Sequence, residues 1–231
     1  MRIPLSPRLQ VCAGFVSPGD RVADIGCDHG YLGIHLLKAG IAQRVIAADI
    51  NEQPLHSATV NAMKFSVRDK MVFFLSNGAV SIPRDFDTMV CAGMGADTMI
   101  SILTAASWLR SEQYRLILQC QSKTPMLRRY LREQGWSICR ETLAKDGKFV
   151  YSVMEVLFAP AEDPAPWEYY ISKALLEDGS PLLPEYYERI RQGLRLSVEG
   201  LRRSGSDELK DLEETLVQLE ALEGQINEYR G

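Results

Sequence analysis

The chain has 231 residues, 46% of them hydrophobic and 24% charged, proportions that exclude a disordered or fibrous chain. Lys and Arg number 26 against 30 Asp and Glu, for a net charge of −4. Any contact with nucleic acid must therefore come from a local basic patch, not from bulk attraction.

The length suits one full-sized α/β domain with a smaller region appended, at roughly 100–200 residues per domain. Near the N-terminus, Pro4, Pro7 and Arg8 interrupt the apolar run that a secretory signal needs. No later apolar stretch approaches a membrane span, so a cytoplasmic protein is expected, with no membrane partner. The five cysteines, Cys12, Cys27, Cys91, Cys120 and Cys139, form no C-x-x-C pair. Neither a metal site nor a redox dithiol is expected.

Taken in chain order, "RVADI", "RVIAADI", "MVFFLS", "FDTMVCAG" and "YRLILQC" read as short buried strands. Helical patterns over 31–40, 52–65, 96–109 and 123–134 separate most of them. This alternation predicts a doubly wound, mostly parallel sheet with helices on both faces. "WSICRETLAKDGKFVYSVMEVLF" then predicts two strands about an Asp-Gly turn, an antiparallel hairpin that ends the sheet. Composition shifts at "APAEDPAPW", which divides an α/β domain over 1–160 from a helical region over 161–231. In that region Ile190, Leu194, Val198 and Leu201 share one helical face, and Leu209, Leu212, Leu216, Leu219 and Ile226 keep a three-four spacing. Gly205 as a stop, Ser206 as an N-cap, and Asp207 and Glu208 in a first turn complete the prediction of a coiled-coil-like helical hairpin.

Ligands of an open α/β sheet bind at the carboxyl ends of its strands, which directs attention to "DIGCDHG" after the first strand. Gly26 permits a sharp turn there, and the amides that open the next helix favour an anion such as a carboxylate. Asp24, Gly26 and Gly30 fit the first, third and seventh positions of the methyltransferase pattern [DE]-x-G-x-G-x-G, with Asp28 in place of its middle glycine. An acid at that place repels a pyrophosphate but attracts the ammonium and sulfonium of S-adenosyl-L-methionine. Asp49 ends the second strand about twenty residues on, where an acid accepts hydrogen bonds from ribose hydroxyls. Asn77 and Gly78 follow the third strand, on the side where an adenine would lie.

Five blocks, "LSPRL" (5–9), "DIGCDHGYL" (24–32), "AGMGADTM" (92–99), "LILQ" (116–119) and "DGKFVY" (146–151), together resemble the bacterial tRNA adenine-22 N1-methyltransferases in order and spacing. The likeness covers about 155 residues. It implies a Rossmann-like class I methyltransferase fold with a C-terminal coiled-coil region, S-adenosyl-L-methionine as cofactor, and tRNA as partner. Carried over by position, it implies a cofactor site of Asp24, Gly26, Cys27, Asp28, His29, Asp49, Ile50, Asn77, Gly78 and Gly93. Met94 and Gly95, with Gln119 on the fifth strand, would border the target base. Arg8, Arg128 and Arg129 would meet RNA phosphate. Asp28 is the expected catalytic acid, stabilising the adenine cation or taking an N6 proton. One departure stands out: the family's glutamine is commonly followed by proline, and here Cys120 and Gln121 follow Gln119. Other readings remain open, namely another RNA position, a small-molecule acceptor, or a non-catalytic S-adenosyl-L-methionine-dependent RNA-binding protein.

Overall fold

The computed structural model describes residues 3–160, 163–204 and 207–229. Its elements are α1 (Pro7–Phe15), β1 (Arg21–Ile25), α2 (Tyr31–Lys38), β2 (Arg44–Asp49), α3 (Glu52–Lys64), β3 (Met71–Leu75), β4 (Thr88–Met94), α4 (Ala96–Ala105), β5 (Arg115–Cys120), α5 (Thr124–Glu133), β6 (Trp136–Asp146) and β7 (Phe149–Phe158), then α6 (Lys173–Asp178), α7 (Leu183–Ser204), α8 (Leu209–Glu220) and α9 (Glu223–Asn227). Seven strands form one sheet in the order β3-β2-β1-β4-β5-β7-β6. Strands β1 to β5 pair in parallel, and β7 joins antiparallel to both β5 and β6. The order reverses between β1 and β4, so the switch point lies at their carboxyl ends.

The central strands are buried on both faces, which is why they read as continuous apolar runs. Alternation nonetheless sorts their side chains into two cores. Ala23, Met89, Cys91, Leu116 and Leu118 face the side covered by α4 and α5. Val22, Val45, Val90 and Ile117 face the side covered by α1, α2 and α3. The sequence reading did not assign α1. Its apolar residues are not arranged as a strong stripe, and its start is marked only by Pro7 in the first turn. It packs Cys12, Ala13 and Phe15 against α2-side residues and the hairpin strands, and so delivers Arg8 to the carboxyl edge of the sheet.

The C-terminal helices pack as expected through Leu194, Val198, Leu219 and Ile226, with Ile190 and Leu212 at the margin. Their cluster also takes in Leu143 and Val150 from β6 and β7. The stop at Gly205 and cap at Ser206 lie outside the described residues, and Asp207 and Glu208 precede α8. Along α7, three arginines pair with carboxylates. Arg191 pairs with Glu188 and Glu223, Arg195 with Glu220, and Arg202 with Glu213.

Arg128 corrects the expectation of a phosphate contact. It is 2% exposed and forms an ion pair with the equally buried Glu141 at 2.5 Å. Its Nη1 donates to the carbonyls of Tyr169 and Tyr170 at 3.0 and 2.8 Å, in and just after a short 3₁₀ turn, Pro166–Tyr169, that precedes α6. Ser152 and Ser172 donate to the same Glu141 carboxylate. The amphipathic pattern of α5 places Arg128 on the inner face beside Leu127 and Leu131. Its neighbour Arg129 is exposed, with its guanidinium 4.7 Å from the ring centroid of Tyr169.

Arg128→Ala would leave Glu141 buried without a counter-charge, so the variant should lose about 3–5 kcal/mol of stability. Chemical denaturation at neutral pH measures this, and a loss below about 1 kcal/mol would contradict the assigned role.

Candidate functional site

A cleft of about 460 Å³ opens at the carboxyl ends of β1, β2 and β4, at the switch point. Its floor is the loop after β1. Gly26 and Cys27 both donate their amides to the carbonyl of Ala48, at 2.8 and 3.0 Å, and the Gly30 amide donates to the Cys27 carbonyl at 2.7 Å. Gly26 has φ +72°, a left-handed conformation that favours glycine, and a Cβ there would displace the Met94 side-chain tip, whose Cε would lie 2.1 Å away. Asn61 of α3 clamps the loop from outside, its Nδ2 donating to the His29 carbonyl at 3.0 Å.

Two carboxylates face this cleft from strand ends. Asp24 is 5% exposed, and its Oδ2 has no hydrogen-bond partner. Burial pushes its carboxyl up from the ordinary 3.8 to about 7, with the nearby charge of Asp49 acting in the same direction and the Gly33 amide opposing both. Asp49 accepts the Asp28 amide on Oδ2 at 3.2 Å and the Asn51 amide on Oδ1 at 3.0 Å. Those two bonds fix its plane and leave further lone pairs directed to a ligand. A buried acceptor with nothing to accept suits a cationic or hydrogen-bond-donating ligand, and the paired acids disfavour a pyrophosphate at the same place.

At the rim, Asp28 adopts φ +49°, a left-handed conformation that aspartate tolerates better than most residues. Its side chain is 72% exposed, with Oδ1 3.6 Å from His29 Nε2. Ile50, Asn77 and Gly78 line the side next to Asp49. On the opposite side, β4 ends in a register shift between Ala92 and Met94. Gly93 occupies the shift with φ +82°, and its amide donates to Gln119 Oε1 at 3.0 Å. The same oxygen accepts Arg8 Nη1 at 3.0 Å, while Arg8 Nε pairs with Asp146 at 3.3 Å. Arg8 thus lines the cleft with part of its guanidinium already engaged.

The cleft brings together Arg8, Asp24, Gly26, Cys27, Asp28, His29, Asp49, Ile50, Asn77, Gly78, Gly93 and Met94. Four expected residues do not line it. Gly95 sits at the start of α4, where a Cβ would lie 2.8 Å from Ser122 Oγ. Gln119 is fully buried and acts from beneath. Arg128 and Arg129 belong to α5 and the contacts described above. Tyr31, Asn51, Ser76 and Thr98 also line the cleft and were not singled out in the sequence. Asn51 follows Asp49 by two residues and Thr98 lies inside "AGMGADTM", so proximity to a motif was the available signal. The departure at Cys120 is accommodated inside the core, where its thiol is buried and its Sγ lies 3.1 Å from the Ser122 carbonyl. Among the described residues, no group of three or more His, Cys, Asp or Glu side chains could hold a metal ion, and no helix is long and apolar enough to cross a membrane.

Comparison with known proteins gives a consistent result. Residues 5–154 match a methyltransferase domain family. A candidate tRNA methyltransferase of Mycoplasma genitalium is 32% identical over 140 residues, covering 58% of this chain and 61% of that one. The tRNA (adenine(22)-N(1))-methyltransferase of Bacillus subtilis is 31% identical over 163 residues, covering 70% of this chain and 67% of that one. The matched segments thus span 61% and 67% of these relatives' own lengths. A solved structure extends the likeness to the C-terminal helices: a candidate tRNA (m1A22) methyltransferase of Streptococcus pneumoniae, in complex with S-adenosyl-L-methionine, superposes with a TM-score of 0.80 at 25% identity. That superposition covers 98% of this chain and 100% of that one. The matched residues 5–154 span the segment that carries Asp24, Gly26, Asp49 and Gly93, and the chain belongs to the Rossmann-like methyltransferases, in the family of the bacterial tRNA (adenine-22-N1)-methyltransferases.

Proposed function

We propose that the protein methylates N1 of adenine 22 in tRNA, with S-adenosyl-L-methionine as the methyl donor. The observation that carries this reading is the unpartnered carboxylate oxygen of Asp24 on the floor of the switch-point cleft. An ammonium is the ligand group that such an oxygen suits best. The full-length likeness to the Streptococcus pneumoniae protein supports the choice of a large RNA over a small acceptor. A tRNA substrate implies a cytoplasmic reaction, with residues 1–160 carrying the chemistry and the helices of 161–231 bracing the large substrate.

When bound, S-adenosyl-L-methionine supplies an electrophilic methyl group on a sulfonium. Asp24 would hold its ammonium, Asp49 its ribose hydroxyls, and Asn77 its adenine, with Ile50 and Ile102 as apolar walls. Gly93 and Met94 border the space left for the target base. Adenine N1 is hidden when the base is paired or stacked, so the substrate must present the base turned out of its helix. The protein's main contribution is then alignment of a nucleophile that needs no activation. Positive charge appears on the adenine ring as transfer proceeds. Asp28, at the rim and free of a buried salt bridge, is the acid that stabilises it.

Incubation with S-adenosyl-L-methionine and unmodified bacterial tRNA should yield N1-methyladenosine at position 22, read by mass spectrometry and primer-extension stops. Methylation confined to another nucleotide, or cofactor binding with no transfer, would overturn the assignment.

Asp28→Asn keeps a residue that tolerates positive φ and removes only the charge. Turnover should fall by about 10²-fold or more with unchanged thermal stability. Wild-type turnover in this variant would remove Asp28 from the mechanism.

Because burial raises the Asp24 carboxyl to about 7, cofactor binding below that pH must expel its proton. Affinity should therefore rise with pH between about 5.5 and 7 and then level off. Asp24→Asn should bind more weakly and lose this slope. Calorimetric titration across that range checks both outcomes, and a slope that persists in the variant would assign it to another group.

A further inference from the structure

The β6–β7 turn enters the sequence reading only as a hairpin signal and a block of family likeness, and no role in the cleft falls to it. Its position gives it one. β7 pairs with β5 as far as Ser152, opposite Cys120, the last residue of β5. Residues 145–151 therefore overhang the carboxyl ends of the parallel strands, the edge on which the cleft opens. Two ion pairs hold the overhang in place. Asp146 pairs with Arg8, which lines the cleft, and Lys145 pairs with Glu185 of α7 at 2.7 Å.

Held in this way, the turn presents Lys148 and Phe149 outward. Phe149 is 46% exposed, and the Lys148 Nζ lies 5.3 Å from its ring centroid. The Tyr151 ring lies 6.1 Å away, centroid to centroid. Among the described residues, Lys148 has no carboxylate at ion-pair distance. The contrast with α7 is informative, because Arg191, Arg195 and Arg202 there are neutralised by glutamates of α7, α8 and α9. A single exposed ring beside a free cation is too small and too polar for an apolar protein interface. It suits a nucleotide, whose base stacks on the ring while its phosphate meets the ammonium.

We propose that the β6–β7 turn is an RNA-contact finger: Phe149 stacks on an unpaired nucleotide flanking the target base, and Lys148 pairs with the adjoining phosphate. This rests on the tRNA reading above and deepens it. The Asp146–Arg8 pair sets the finger's distance from the cleft, so a nucleotide docked on Phe149 fixes where the next base can enter.

The test is binding of unmodified tRNA to wild type, Phe149→Ala, Phe149→Trp and Lys148→Ala across a salt series, with cofactor affinity and melting temperature as controls. Both residues are exposed, so all variants should fold. Phe149→Ala should weaken tRNA binding by about five- to a hundredfold, the span reported for loss of one base–aromatic stack. Phe149→Trp should retain binding. Lys148→Ala should reduce the slope of log affinity against log salt by about 0.7–0.9. Cofactor affinity should not change in any of them. Wild-type tRNA affinity in Phe149→Ala together with an unaltered salt slope in Lys148→Ala would overturn the finger. The two readings separate cleanly: if wild type binds tRNA without methylating it and the variants lose affinity, the finger stands and the reaction falls. If wild type methylates and the variants bind as well as it does, only the finger falls.

Discussion

The buried, half-satisfied carboxylate of Asp24 is the constraint around which the site is organised. A buried polar group left unpaired costs about 1–3 kcal/mol, and more when it is charged. The chain holds such a group at the switch point of its sheet, with one oxygen unpartnered. Here the fold relieves part of the cost by protonation, since burial raises the carboxyl toward neutral pH. A cationic ligand at this oxygen, as in the proposed function, would offset the remainder. The surrounding loop is held in place by hydrogen bonds, with the Gly26 and Cys27 amides tied to Ala48 and its outer face bonded to Asn61.

Most of the α/β architecture was legible because a parallel sheet buried on both faces leaves unbroken apolar runs, and each expected strand is found. The helix positions followed from the same alternation. What escaped the sequence depended on the tertiary partner. Helix α1 lacks a strong apolar stripe, because it is wedged between α2 and the hairpin and touches both. Arg128 and Arg129 are adjacent in a basic run, and nothing local distinguishes the one buried against Glu141 from the one left exposed. A hundred-degree turn of the helix decides it, together with a carboxylate thirteen residues away.

The cleft was legible to a similar depth. Acids at strand ends and glycines at turns have spacings fixed by the fold, so Asp24, Gly26 and Asp49 could be placed from sequence. The base-side wall is different. Gln119 works from beneath, orienting Gly93 through one oxygen that it shares with Arg8. Such a shared acceptor leaves no trace in spacing, since its three participants come from α1, β4 and β5.

The network around Glu141 bears on how the molecule comes apart. It joins α5, both hairpin strands and the segment leading into α6, and the apolar cluster beside it draws residues from the hairpin and from every helix of α6 to α9. Pulling the helices away would expose Leu143 and Val150 and strand a guanidinium–carboxylate pair at the sheet's edge. The proline-rich segment near residue 160 is therefore a seam in composition that packing bridges, because one apolar cluster and one buried ion-pair network couple the helices to the hairpin.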